Sequence, residues 1–231
     1  MASPGAFFGS VHEATLRYGF RAAAPVSLKL EVVRRSGRVV DGWVEKNVPA
    51  SGAHSERWDG TTWTGAPAPD GAYVFELGEL GGPLRRVGAF RLHGHFFPVR
   101  GPHGTRGPIG DFGAPRSGGR THEGFDVTAA CGTGLVAVRA GRVLRAGYDP
   151  VLYGNYALIH GRGEGRSYFY AHMRKPATVH VGELVRTGQR VGSVGKTGDA
   201  RTVGCHLHFE IHVHGHPVDP EPALRRWDRF S

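Results

Sequence analysis

Long apolar runs are missing from this sequence. No apolar run in the 231 residues reaches the roughly 18 to 20 residues that a helical membrane span needs, so we predict no transmembrane segment. The N-terminal residues MASPGAFFGS have neither the basic region nor the apolar core of a secretory leader. These residues alone leave two alternatives: an intracellular protein, or one whose numbering starts after a removed leader.

Lysine is scarce, and the net charge of +9 comes almost entirely from arginine. The arginines stand singly or in pairs, without a basic tract or a nucleic-acid-binding motif, so we expect no nucleic-acid partner. A basic chain favours an anionic partner, and a membrane surface or an acidic cell-wall polymer satisfies that requirement.

Cysteine is almost absent. The two cysteines are Cys131 and Cys205. They are either two buried thiols or one disulfide, and a disulfide would imply an oxidising compartment. Composition alone leaves this choice open.

Helical periodicity is also absent, whereas short apolar runs between turns are frequent. Glycine is abundant, at 37 residues. Alternating segments such as VSLKLEVV, separated by turns such as RRSG and APAPDG, predict strands. No segment predicts a helix of three turns, and EPALRRW at 221–227 predicts one short helical turn. We therefore predict an all-β protein.

Residues 1–94 are predicted to form the first domain, because the strand series at 12–94 indicates a β-sandwich. The segments LKLEVVRRSGRVV, ERWDG and PDGAYVFEL resemble the Ig-like domain of the flagellar hook-cap protein FlgD and of many secreted bacterial proteins. This resemblance implies a fold rather than an activity. Trp58 is expected to be a core or turn residue rather than a binding platform.

Residues 95–231 are predicted to form a second, compact antiparallel β domain. Its first stretch, 95–121, is rich in Gly, Pro and Arg, but it carries more apolar side chains than a solvated linker needs. They are Phe96, Phe97, Val99, Ile109 and Phe112. We expect an ordered, irregular entry to the domain.

The segment GCHLHFEIHVHGH, at 204–216, carries an ionisable side chain at every second position. Alternate side chains of a strand point to opposite faces, so these residues share one face: His206, His208, Glu210, His212 and His214. A hydrolytic zinc site takes three protein ligands, which one strand does not easily supply. Further candidates lie in HEGFD at 122–126 and YAHM at 170–173. The spacing alone leaves open a metal site, a proton-transfer site or a strand with one solvated face.

HEGFD, YAHM and GCHLHFE, in this order, resemble the LytM/lysostaphin-type zinc endopeptidases, which cut peptide bonds in bacterial peptidoglycan. The resemblance covers about residues 97–220. It implies one Zn²⁺ per chain in an open groove, with His122, Asp126 and His208 as ligands. It also implies that His172 and His206 are catalytic. One would move the proton of the attacking water and the other would stabilise the oxyanion, in an order that the sequence does not assign.

Residues around these motifs are predicted to line the substrate groove or to support the ligands: Tyr153, Asn155, Tyr170 and Glu210. A turn role is an equal alternative for Tyr153 and Asn155. Glu210 is expected to support a ligand rather than bind the metal, and His212 and His214 are expected to be surface residues.

The resemblance also changes the interpretation of the cysteines. Cys205 stands where many members carry Pro, and by strand alternation it points away from His206 and His208, so it is a poor fourth ligand. Cys131 follows the ligand Asp126, and two segments already joined by a shared metal are well placed for a disulfide. We therefore predict a Cys131–Cys205 disulfide, which implies export.

The sequence thus predicts a secreted or cell-envelope metalloendopeptidase that acts on peptidoglycan peptides as a monomer. All five residues that the family needs are present. The alternative is a non-catalytic peptidoglycan-binding or hydrolase-regulating protein that retains the zinc site.

Overall fold

The computed structural model describes residues 13–229 and, before them, only the strand at 6–8. The N-terminal residues considered above as a leader lie, apart from that strand, outside the described residues. The chain divides into two compact units, Met1–Gly94 and His95–Ser231. Within the described part of the chain, no helix has the length and apolar character needed to cross a membrane.

The N-terminal unit is built from β-strands in its described residues. They are β1 (Ala6–Phe8), β2 (Ala14–Tyr18), β3 (Val26–Arg34), β4 (Val39–Val48), β5 (His54–Trp58), β6 (Gly71–Glu79) and β7 (Arg85–His93). One sheet has the strand order β1-β7-β6-β3-β4, and all its pairs are antiparallel except β1 with β7. Strands β2 and β5 form a separate antiparallel pair.

Both sheets of the N-terminal unit contribute to one apolar core. The alternation in β3 buries Leu28, Leu30 and Val32, which cluster with Leu16 of β2 and Trp58 of β5. The Trp58 indole N–H donates to the Thr61 carbonyl oxygen at 2.7 Å, so its predicted core role is confirmed. Two sheets over one core are what a sandwich requires. The Ig-like assignment stays a prediction.

The C-terminal unit contains the remaining elements. Its strands are β8 (Val99–Arg100), β9 (His103–Thr105), β10 (Phe125–Ala129), β11 (Gly134–Val136), β12 (Gly141–Asp149), β13 (Gly154–Gly161), β14 (Arg166–Met173), β15 (Leu184–Val185), β16 (Arg190–Ser193), β17 (His206–Val213) and β18 (His216–Val218). Its helices are three 3-10 turns, Pro108–Gly110, Ser117–Gly119 and Gly198–Thr202, and α1 (Glu221–Trp227). The short α1 is the helical turn that EPALRRW predicts.

Strand β17 is an interior strand of the larger sheet, whose order is β15-β12-β13-β14-β17-β10-β9. It pairs along one edge with β14, while along the other edge β10 pairs with its first half and β18 with its second. All of these pairs are antiparallel. Leu207, Phe209 and Ile211 enter the apolar core, which leaves the alternate residues of β17 on the opposite face.

The irregular stretch 95–121 is ordered, but its apolar residues have two different fates. Phe96, Phe97 and Val99 are buried. Ile109 and Phe112 are exposed, at 58% and 37% of their surface. The expectation of an ordered entry therefore holds for the first part, whereas the second part presents apolar surface to solvent.

The structure contains the Cys131–Cys205 disulfide, with Cα atoms 5.3 Å apart and a sequence separation of 74. Cys131 follows β10, and Cys205 immediately precedes β17. The bond therefore ties together the ends of two paired strands.

We expect the double variant Cys131→Ser/Cys205→Ser to be less stable, because its unfolded chain is no longer held by a long covalent loop. The free energy of unfolding of the C-terminal unit should fall by about 2–4 kcal/mol, measured by chemical denaturation. Wild-type protein in reducing agent should match the variant. Equal denaturation midpoints for oxidised wild type and variant would contradict the prediction.

Candidate metal centre

The register between β10 and β17 sets the first part of the site. Asp126 lies directly opposite His208, so their side chains leave the sheet on the same face. Their neighbours Phe125, Val127 and Phe209 point to the core. The pairing of two strands with a period of two thus places a carboxylate beside an imidazole.

His122 reaches the same point from the segment before β10. Its backbone N–H donates to the Ala114 carbonyl at 2.8 Å, and its own carbonyl accepts from Gly113 at 2.8 Å. The segment then passes close to β17 at Gly124, where a Cβ would lie 2.6 Å from the Phe209 carbonyl oxygen and 2.8 Å from His208 Cε1. Only glycine fits this approach without displacing the strand.

Three buried side chains, His122, Asp126 and His208, converge here, with one ligand atom from each within 4.8 Å of the others. His122 Nε2 lies 2.8 Å from His208 Nδ1 and 3.1 Å from Asp126 Oδ1. Asp126 Oδ1 lies 3.3 Å from His208 Nδ1. These distances define the group that we call the His/Asp/His cluster.

Outer partners fix which atoms of the cluster carry protons. His122 Nδ1 donates to the Asp111 carbonyl at 2.8 Å, and His208 Nε2 donates to Glu210 Oε1 at 2.7 Å. Each ring therefore turns its other nitrogen, with a lone pair, toward the cluster. Two such lone pairs and a carboxylate oxygen repel one another unless a cation lies between them. The donor set, two imidazole nitrogens and one carboxylate oxygen, is one that zinc accepts in hydrolytic sites.

The pKa shifts of Asp126 and His208 also indicate that the cluster favours a positive charge. Burial opposes ionisation of Asp126, but the adjacent imidazoles of His122 and His208 outweigh it and lower the pKa of this carboxyl. Burial also opposes the charged form of His208, yet the hydrogen bonds to Asp126 and Glu210 raise its pKa to about 9. Without a metal, a proton on His208 compensates the converging acceptors.

A β-bulge brings His172 to the cluster. Ala157 pairs with Tyr170 and Asn155 with Met173, so Ala171 and His172 together oppose a single residue of β13. His172 has a φ of 59°, in the left-handed region. Regular alternation would point residue 172 to the same face as Tyr170, and the bulge redirects it toward the site.

His172 and His206 are neighbours, with ring centroids 4.9 Å apart. Each donates its Nδ1 hydrogen to a backbone carbonyl at 2.9 Å: His172 to Thr197 and His206 to Gly204. The Nε2 atoms are thereby left as acceptors. Burial, and then the nearby His208 and His206 charges, lower the pKa of His172 to about 3. Burial is also the main cause that lowers the pKa of His206.

Asn155 and Thr197 hold the bulge in place. The Asn155 side-chain amide and the Thr197 hydroxyl both donate to the Met173 carbonyl, at 3.1 and 2.8 Å. The Tyr153 carbonyl accepts the backbone N–H of His172 at 2.8 Å. Asn155 therefore supports the backbone beside His172 and does not line the cleft.

The cluster opens into a cleft of about 640 Å³. Its lining comes from the segment 106–121, from residues around Tyr153 and Ala200, and from the site residues themselves. Tyr153 is one of these lining residues. Its pKa is raised to about 12, first by burial and then by Glu210 and Glu123. Its phenol is thus a hydrogen-bond donor at neutral pH.

The expectation for Tyr170 requires correction. Its side chain is fully buried in the apolar core, and its hydroxyl accepts the Val138 backbone N–H at 2.9 Å. Tyr170 pairs with the core residue Phe209, so strand alternation turns it away from the cleft.

Two contacts of the site are absent from the sequence-based expectations. Arg106 Nη1 donates to Asp126 Oδ2 at 3.1 Å, and this leaves Oδ1 for the cluster. His212 Nε2 donates to the second oxygen of Glu210 at 2.5 Å, so His212 supports Glu210 instead of standing alone on the surface. The two-residue spacing on one strand face could have indicated the second contact, whereas no local signal indicates the first.

Gly124→Ala should weaken metal binding, because the added methyl group meets the Phe209 carbonyl and the His208 ring. We expect the zinc dissociation constant to rise about ten-fold or more, equivalent to about 1.4 kcal/mol, in a competition titration with a chromogenic chelator. Gly134→Ala is the matched control, since its Cβ would lie 3.8 Å from its nearest neighbour. Equal zinc affinities for the two variants would contradict this.

Comparison with known proteins yields a family match. Residues 120–220 match the model of Peptidase family M23, and these residues include the His/Asp/His cluster, His172 and His206. An uncharacterized metalloprotease of Haemophilus influenzae is 31% identical over 169 residues, which are 70% of this chain and 32% of that protein. The murein hydrolase activator EnvC of Escherichia coli is 36% identical over 57% of this chain and 29% of its own length. The chain thus spans about a third of the length of these relatives.

Among solved structures, the catalytic domain of the antimicrobial peptidase lysostaphin from Staphylococcus simulans is 29% identical. It aligns with a TM-score of 0.46 over 54% of this chain and 92% of that domain. The family match itself rests on the sequence of residues 120–220 and on the motifs that lie within it. Over residues 120–220, the C-terminal unit of this chain is therefore similar to peptidase family M23.

Proposed function

We propose that the C-terminal unit is a zinc-dependent endopeptidase that hydrolyses peptide bonds in bacterial peptidoglycan. One observation carries the proposal: ligand atoms of His122, Asp126 and His208 lie within 4.8 Å of one another, beside two further buried histidines that line the same cleft. A structural cluster of polar residues has no need of this arrangement, since it leaves acceptors facing one another.

His122, Asp126 and His208 would hold one Zn²⁺, through Nε2, Oδ1 and Nδ1. Glu210 and Asp111 would keep the two imidazoles in the tautomers that bind, and Arg106 would occupy the other oxygen of Asp126. A zinc ion bound there supplies a water of pKa about 7 and polarises a carbonyl group.

His172 and His206 would handle protons. Both are buried, and their lowered pKa values keep them neutral at neutral pH, so each can accept a proton at Nε2 and return it to a leaving amine. The protonated hydroxyl of Tyr153 would donate a hydrogen bond to a substrate oxygen from the cleft wall. This is the role that the structure leaves for Tyr153 in substrate binding.

The relatives support an envelope or secreted location and a peptidoglycan substrate. Proteins named murein hydrolase activator and lipoprotein are 34–36% identical to this chain over about half its length. The disulfide agrees with an oxidising compartment, and the net charge of +9 suits an anionic wall. We further propose that the protein acts as a monomer and that the Ig-like N-terminal domain positions the enzyme or binds a partner.

A second candidate function follows from the names of the same relatives. EnvC and NlpD are murein hydrolase activators, and a relative of such proteins could regulate another hydrolase. The five site residues favour catalysis here, since a purely regulatory protein needs no proton-transfer histidines beside its metal.

Release of dye from labelled, purified cell walls tests the function. The zinc-loaded protein should release dye and should lose at least about ten-fold of its rate in excess zinc chelator, with recovery on adding zinc. Release that is insensitive to the chelator, or no release by zinc-loaded protein, would favour the activator. Adding a separate murein hydrolase to the inactive sample would then reveal stimulation.

Substitutions of His206 and His208, the two histidines of the H-x-H motif, should have different effects on zinc binding and activity. His208→Ala removes a ligand atom and should lose both bound zinc and activity. His206→Ala should keep zinc near one equivalent while the rate falls by at least about 100-fold, the range of a lost general acid–base group. Metal analysis of the purified variants measures the first quantity. An equal fall in zinc content in both variants would show that the division of roles is wrong.

A further inference from the structure

One wall of the cleft is basic. The segment 106–121 places Arg106, Arg116 and Arg120 along it, next to the cluster residue Asp126. Elsewhere the lining includes the apolar and aromatic residues Leu152, Tyr153, Ala200 and Val203. A peptide in this cleft would therefore meet guanidinium groups where it passes the segment 106–121.

A short hairpin carries two of these arginines. Pro115 pairs with Thr121 as an isolated antiparallel bridge, and the Arg116 backbone N–H donates to the Arg120 carbonyl at 2.9 Å. Thr121 is followed by His122 of the His/Asp/His cluster. The Cα atoms of Arg120 and His122 can be at most about 7 Å apart, since two residues span no more than that.

The three arginines differ in how far they are engaged. Arg106 is bound to Asp126 Oδ2 at 3.1 Å, and Arg116 lies 3.8 Å from the same oxygen. Arg120 is exposed, and among residues 13–229 no carboxylate lies within the 4.0 Å of an ion pair with it. Of the three arginines, Arg120 is thus the one whose guanidinium N–H groups are available to bind a ligand.

The acidic groups of the cleft do not form ion pairs with Arg120. Asp126 and Glu210 are engaged by the histidines and by Arg106. Asp199, on the 3-10 turn Gly198–Thr202, lies 3.7 Å from His172 Nε2. Glu123, although exposed in the cleft, makes no ion pair with Arg120. None of the four carboxylates that line the cleft is therefore an ion-pair partner of Arg120.

We propose that Arg120, assisted by Arg116, binds a free carboxylate of the substrate within about two residues of the scissile bond. A guanidinium fork matches a carboxylate with two parallel hydrogen bonds. The proposal rests on the endopeptidase function and names its substrate class. Cross-linked stem peptides that keep a free carboxylate beside the cross-link are substrates, and uncharged glycine bridges are poor ones.

The experiment compares two cross-linked stem-peptide dimers that differ at one group. One carries the free carboxylate beside the cross-link, and the other carries a carboxamide there. Wild type should cleave the free acid with a kcat/KM about ten-fold or more above that of the amide, the range of a hydrogen bond to a charged group. Arg120→Ala should bring the ratio close to one, and Arg120→Lys should keep part of it.

Arg145→Ala is the matched control, because Arg145 is an exposed arginine of β12 outside the cleft. It removes the same charge and should keep the wild-type ratio. Equal kcat/KM values for acid and amide in wild type would overturn the proposal. So would an Arg120→Ala variant that slows both substrates by the same factor.

A binding measurement separates this proposal from the proposed function. Calorimetry with the His206→Ala protein should give about ten-fold tighter binding of the acid dimer than of the amide, and Arg120→Ala in that background should abolish the difference. If wild type cleaves neither dimer but this binding preference appears, the endopeptidase function fails and the assignment of Arg120 stands. Equal binding of acid and amide overturns the assignment whether or not cleavage occurs.

Discussion

Repulsion between acceptors is the constraint on which the site depends. His122 Nε2 and His208 Nδ1 lie 2.8 Å apart with a carboxylate oxygen beside both, and this geometry persists only if a positive charge compensates it. The surrounding structure keeps the rings from turning away. Asp111 and Glu210 accept the opposite ring hydrogens, and Arg106 holds the free oxygen of Asp126. The fold therefore maintains an arrangement that requires a positive charge, which either a proton on His208 or a metal cation can supply.

Strand pairing and the close approach of the chain at Gly124 make this arrangement possible. The β10–β17 register sets Asp126 opposite His208 with no special backbone conformation. The absence of a side chain at 124 lets the His122 segment lie against β17. The disulfide then joins the ends of the same two strands. Ligand placement thus follows from strand pairing, one close approach and one covalent bond.

Much of this could be predicted from the sequence, because β17 and β10 obey a period of two. The same rule places Leu207 and Phe209 in the core and predicts the shared face of His206, His208 and Glu210. The rule fails at the end of β14, where a bulge turns His172 toward the site although Tyr170, two residues before it, follows the alternation into the core. The contact between Asp126 and Arg106 could not be predicted from the sequence either, because the two residues are 20 positions apart and an irregular segment separates them. Bulges and irregular segments lack a periodic signal.

The bulge at His172 also bears on how the domain can change. The backbone of His172, with a φ of 59°, lies in the left-handed region that non-glycine residues rarely occupy. This conformation costs on the order of 1 kcal/mol. Glycine at that position would release the cost and remove the imidazole. If only folding stability were selected, histidine at position 172 would tend to be replaced during evolution. Retention of this histidine in a lineage would therefore indicate selection for its chemical function.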